Sequence, residues 1–202
     1  MVTAAVTIAR RDGLDALSMR RLAAELGVST MAAYRHVPGK DSLVDDVVDA
    51  VIATIPLDGY VGTWSERLEE LTITSYRTLD EFPGLPERIH GRALGRPGII
   101  RWLEAFNTPL VEAGVPVEAR SGGTTSLVWL LRGASRLTSE WGDMVGALEE
   151  IAGRDDEDGD DTPIMRQGRE LLGDQQVEDL LRSGVRLILT GLRQAADEAA
   201  AG

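Results

Sequence analysis

The chain has 202 residues, with 33 acidic against 21 basic side chains and a formal net charge of −12 at pH 7. That length suffices for one or two packed domains, and the lack of cysteine excludes disulfide scaffolds, thiol nucleophiles and cysteine zinc sites. The longest apolar run, Val47 to Ile55, is interrupted by Asp49, and Met1-Val2-Thr3-Ala4 has no basic stretch leading into an apolar one, so a cytoplasmic location is expected.

Glycine and proline cut the sequence into helix-length pieces, and no segment alternates with period two, so an all-α fold is expected. A first helix covers about Thr3 to Arg11 and stops at Gly13. Ser18 is an N-cap for a second helix, which carries Leu22 and Leu26 and ends at Gly27. Ser29 caps a short third helix reaching about His36, and Pro38-Gly39 breaks it. A fourth opens at Lys40 or Asp41, with an apolar face from Leu43 to Ile55, and Pro56 ends it. Thr63-Trp64-Ser65-Glu66 is a capping box that opens a helix to about Glu81. A broken helical stretch, Pro83 to Arg96, precedes helices over Pro97–Ala113 and Val117–Trp141. Residues 153–162 are acidic without apolar content, which predicts a mobile loop, and a last helix is expected from about Asp174 to Glu198.

The net acidity speaks against nucleic acid until its distribution is considered. Residues 1–40 hold Arg10, Arg11, Arg20, Arg21, Arg35 and Lys40 against Asp12, Asp15 and Glu25. Surface charges more than about 10 Å apart are largely screened at about 0.1 M salt, so a basic end can work on an acidic body. The second and third helices, joined at Gly27-Val28, have the dimensions of a DNA-reading helix-turn-helix. A small helical bundle also contains such hairpins, but here the third helix presents Thr30, Met31, Tyr34 and Arg35 where a buried helix would carry Leu or Ile. Ala33 and Val37 can face inward, and Ser29 starts the helix with amides free toward an anion.

The run Gly13-Leu14-Asp15-Ala16-Leu17-Ser18-Met19-Arg20-Arg21-Leu22-Ala23-Ala24-Glu25-Leu26-Gly27-Val28-Ser29, continuing through Tyr34-Arg35-His36-Val37-Pro38-Gly39-Lys40-Asp41-Ser42-Leu43, resembles the DNA-binding region of tetracycline-repressor (TetR) family regulators. The resemblance implies a three-helix DNA-binding domain over residues 1–45 and a larger helical ligand-binding and dimerisation domain over 46–202. It implies that Tyr34, His36 and Lys40 meet backbone phosphates, and that Arg20, Thr30, Met31 and Arg35 approach base edges. Arg20 or Arg35 could grip guanine O6 and N7, for about 1–3 kcal/mol of discrimination per good pair. Many members carry a further basic N-terminal arm, whereas this sequence starts almost directly with its first helix, which implies either a weaker grip or a native start further upstream.

By the same resemblance the protein is a ligand-released repressor of operator DNA, and it pairs with a second copy so that two recognition helices stand about 34–36 Å apart. The expected interface lies on the helices over 117–141 and 174–198, with Gly122, Gly123, Gly133 and Ala134 for close approach and Leu127, Trp129, Leu130, Leu131, Leu181, Val185, Ile188 and Leu192 for apolar area. A small-molecule effector is expected among the helices after residue 63, with rings from Trp64, Tyr76, Trp102, Phe106 and Trp129 and polar groups from His90, Arg92, Asn107 and Thr138. Ala93 stands where the metal-binding histidine of the tetracycline repressor aligns, which speaks against a tetracycline–magnesium ligand. No cofactor or metal is expected. An enzyme is disfavoured, since His36 and His90 are the only histidines and no phosphate-cradling glycine loop or HExxH motif occurs. Asp156, Asp158 and Asp160 alternate as in a calcium loop, but Asp161 holds the glycine position and Gln167 the twelfth.

Overall fold

The computed structural model describes residues 1–138, 140–147 and 176–201, and among these every regular element is helical. The helices are α1 (Val2–Asp12), α2 (Met19–Glu25), α3 (Thr30–Tyr34), α4 (Lys40–Ile52), α5 (Trp64–Asp80), α6 (Pro97–Glu112), α7 (Val117–Leu137), α8 (141–147) and α9 (Val177–Ala201), with short 3₁₀ turns at Leu14–Ala16, Pro86–Arg88 and Gly91–Gly95. The acidic run expected as a loop, with Asp156, Asp158, Asp160, Asp161 and Gln167, lies outside the described residues.

Local chemistry explains the helix ends. Ser18 Oγ accepts the Arg21 N–H at 3.2 Å, and Ser29 Oγ accepts that of Ala32 at 3.2 Å. Gly27 closes α2 at φ 66°, with the Val28 N–H on the Ala23 carbonyl (3.0 Å) and the Gly27 N–H on that of Ala24 (3.2 Å). An L side chain is rarely found at such a φ, so this tight reversal favours glycine. The Thr63/Glu66 capping box forms in both directions, and the amide and hydroxyl of Thr63 hold the Glu66 carboxyl below its ordinary range.

Two helices stop earlier than the sequence suggests. α3 spans five residues and does not reach His36. α4 ends at Ile52 rather than Ile55, because Thr54 Oγ1 donates to the Val51 carbonyl at 2.6 Å and Pro56 disfavours helical geometry just before it. Ile55 is still buried.

α1 packs on α4, and α2 pairs with α3, around Ile8, Leu17, Leu22, Leu43 and Val47. Beyond them α5, α6, α7 and α9 form a bundle. Its centre is Trp102, fully buried, whose Nε1–H donates to Ser75 Oγ at 2.9 Å and whose ring meets Phe106 edge-to-face at 5.2 Å. Such a ring pair adds about 0.5–1.5 kcal/mol beyond area burial. α7 and α9 lie unusually close: a Cβ on Gly123 would stand 2.6 Å from Leu192 Cδ2. An ionic ladder of Arg182 and Arg186 with Glu69 and Glu70, and of Arg77 with Glu178, ties α9 to α5. The boundary expected at residue 45/46 falls inside α4, a continuous helix that packs on α1 as well as on α5 and α6.

Candidate nucleic-acid interface

α3 is anchored by Ala33, with Val37 just beyond it, both buried, and turns its other side outward. Met31 is 76% exposed and Tyr34 48%, values that in a monomer represent apolar surface with no intrachain use. Ser29, Arg35, His36 and Lys40 are exposed as well, as is Arg20 on α2, whereas Thr30 is partly covered. Arg20 sits next to the buried Met19 and two residues before Leu22, so its helix is fixed by the core while its own side chain is exposed.

The charges on this end divide into two groups. Arg21 is held by Asp12 at 2.5 Å, Arg11 by Asp12 and Glu25, and Arg10 by Glu81 at 2.9 Å, with its guanidinium over the Phe82 ring. Arg20, Arg35 and Lys40, by contrast, take part in no ion pair among the described residues. Cations left unpaired beside an exposed tyrosine and an exposed methionine form a surface suited to phosphate and base edges.

The effector residues expected from the sequence are not gathered in one place. Trp102 and Phe106 are core residues, and Asn107 bridges α6 to α7 by accepting from Thr124 Oγ1 at 3.2 Å. Tyr76 hydroxyl lies 3.0 Å from Thr138 Oγ1, and burial pushes the phenol pKa up. Trp64 is partly buried under Arg193, while His90 and Arg92 are exposed on the 3₁₀ segment and Trp129 is 66% exposed on α7.

The interface expected for dimerisation also needs correction. Leu127, Leu131, Leu181, Val185 and Leu192 are buried within one chain, because α7 and α9 pack on each other and on α5. Gly123 makes its close approach to Leu192 of the same chain. Trp129 and Leu187, the latter 76% exposed, are among the apolar side chains of these helices that face outward, with the uncrowded Gly122, Gly133 and Gly191.

α4 has an acidic face as well as the apolar one that marks it in the sequence. Asp49 Oδ1 accepts the N–H of Gly98 at 2.6 Å and of Ile99 at 3.2 Å, holding the start of α6. Arg96 pairs with Asp46 at 2.8 Å and Arg92 with Asp45 at 3.7 Å. Asp45, Asp46 and Asp49, gathered within about one turn of α4, are the sequence signal for this joint.

Residues 2–47 match the sequence signature of the family described as bacterial regulatory proteins, tetR family. Over 117 residues the chain is 48% identical to the HTH-type transcriptional repressor DrrR1 of Streptomyces coeruleorubidus, a match covering 57% of this chain and 43% of that protein. The fold is similar to apo ActR from Streptomyces coelicolor, with a TM-score of 0.81, 26% identity, and 98% and 95% of the two chains covered. Residues 2–47 form a tetR-family segment. The tetR signature contains α1 to α3 and most of α4, the elements that carry the unpaired cations. The match to DrrR1 spans less than half of that relative's length. The fold is also similar to that of ActR in complex with actinorhodin, with a TM-score of 0.78 at 23% identity and 96% and 95% of the chains covered. No helix among the described residues is long and apolar enough to cross a membrane.

Proposed function

We propose that the protein is a homodimeric, sequence-specific DNA-binding regulator, a repressor released from its operator by a small-molecule effector, and that it acts in the cytoplasm as a regulator and not as an enzyme. The observation that carries this reading is the set of unpaired cations on the exposed side of α2 and α3, next to Tyr34 and Met31. That DrrR1 is named an HTH-type transcriptional repressor supports the direction of regulation. That ActR has been solved with actinorhodin supports an effector.

In this reading Tyr34, His36 and Lys40 hold phosphates and fix the register, while Arg20, Thr30, Met31 and Arg35 meet base edges. Ser29 spends its hydroxyl on the Ala32 amide and shapes the start of α3. Residues 1–45 act as the reading head, and residues 46–202 as the sensing and pairing body, with α4 shared between them. A second copy covers Trp129 and Leu187, where Gly122, Gly133 and Gly191 allow close approach. The effector acts through α4, whose hold on α6 sets the position of the head, and it can release DNA only by its difference in affinity for the two shapes.

The test is a gel shift on duplexes selected from genomic DNA, repeated over a salt series. Binding should weaken steeply with salt and vanish when Tyr34 and Lys40 are both replaced by alanine. Salt-insensitive retention, full binding by the double variant, or a strictly monomeric protein in sedimentation would overturn the reading.

A further inference from the structure

Outside the interface described above, a cleft of about 400 Å³ opens between the segment after α4, the first half of α5 and the middle of α6. None of the effector residues expected from the sequence lines it. Its volume falls in the range of small-ligand sites, and Leu57, Leu71, Ala105 and Pro109 give it an apolar wall. The Tyr60 ring on its rim is pinned, since its hydroxyl donates to the Pro56 carbonyl at 2.6 Å.

Two arginines, Arg67 and Arg101, also line this space. Arg67 gives Nη2 to Glu112, yet its Nε–H is buried without an acceptor. A buried donor on a charged group strongly favours an acceptor, and the fork geometry of arginine suits a carboxylate. Arg101 makes no ion pair among the described residues. Asp58 and Glu104 share the rim and disfavour a second negative charge on any occupant. Pro109 lies within α6 and has no N–H to offer the Ala105 carbonyl, so that carbonyl lacks its helical donor and can take a hydroxyl instead.

We propose that this cleft binds a small aromatic monocarboxylate, preferably one bearing a hydroxyl, with Arg67 as the anion-selecting residue and Arg101 as its support. The inference rests on the effector reading above and names the chemical class of the effector. Because Leu57, Asp58 and Tyr60 lie on the segment that joins α4 to α5, an occupant ties that segment to α6 and so bears on the position of the reading head.

The experiment is calorimetric titration of the full chain with 1-hydroxy-2-naphthoate and, separately, with its neutral amide. The acid should bind at least about ten-fold more tightly than the amide. Arg67→Met keeps the apolar stem and should abolish that preference, and Arg101→Gln should reduce it several-fold. Glu112→Gln removes the competing anion and should strengthen acid binding; this variant decides the matter should Arg67→Met not fold. Equal binding of acid and amide, no binding of the acid at millimolar concentration, or an unchanged preference in both Arg67→Met and Glu112→Gln would overturn the proposal. An operator gel shift on the same preparations keeps the two readings apart: failed acid selection with DNA binding intact sinks the cleft alone, whereas absent DNA binding sinks the regulator.

Discussion

The joint between α4 and α6 offers the sharpest quantitative test. Asp49 supplies one carboxylate oxygen to two helix-start amides, those of Gly98 and Ile99, at 2.6 and 3.2 Å. Removing a helix-start acceptor costs about 0.5–2 kcal/mol, and each donor left buried and unpaired costs about 1–3 kcal/mol. The site is half-buried, so water recovers part of that loss, and we expect Asp49→Ala to destabilise by about 2 kcal/mol. For a chain of this size that is a fall in Tm of roughly 4–8 °C. Asp49→Asn keeps an acceptor but not the charge that favours a helix start, and should lose about half as much. Gly98→Ala should be worse than either, because its Cβ would stand 2.7 Å from both the backbone oxygen and Oδ1 of Asp49. The assay is urea unfolding followed by circular dichroism at one fixed protein concentration, since a dimer makes the midpoint concentration-dependent. If Asp49→Ala unfolds within about 0.5 kcal/mol of the parent, the α4–α6 joint does not carry the stability assigned to it.

At the reading head, Lys40→Ala should weaken binding to all duplexes alike and lower the salt slope by about one, while Arg35→Ala should cost about 1–3 kcal/mol and relax selectivity at one base position. Arg21→Ala, whose charge is already held by Asp12, should leave selectivity unchanged in the same gel shift. In the ionic ladder, the Arg186 hydrogen bond and then Arg182 hold the Glu69 carboxyl below its ordinary value of 4.5, against the opposing effect of burial. Its contribution is therefore complete above pH 4.5 and is lost as pH falls through the lower folded-state value; a pH series of unfolding midpoints should show a shallower acid decline for Glu69→Gln. Gly123→Ala should destabilise by about 1–3 kcal/mol through its collision with Leu192, and adding Leu192→Ala should recover part of the overpacking cost, as thermal unfolding of both variants would show.

Much of this architecture was legible from local chemistry. Ser18, Ser29 and the Thr63/Glu66 box cap the helices that their spacing announced, and Gly27 supplies the left-handed turn of the helix-turn-helix. Ala33 and Val37 lie inward while Met31 and Tyr34 lie outward, as the side-chain types on α3 required. These features depend on groups within a few residues of one another, so the order of residues alone determines them.

Tertiary packing decided the rest. Which leucines of α7 and α9 are core and which are left for a partner depends on the close approach at Gly123, and a periodic apolar stripe looks the same in either case. The bond from Asp49 to the start of α6 joins residues about fifty positions apart, and the cleft walled by Arg67, Arg101 and Tyr60 draws on three separated segments. Neither arrangement leaves a spacing in the chain, because it exists only once the helices have been laid side by side.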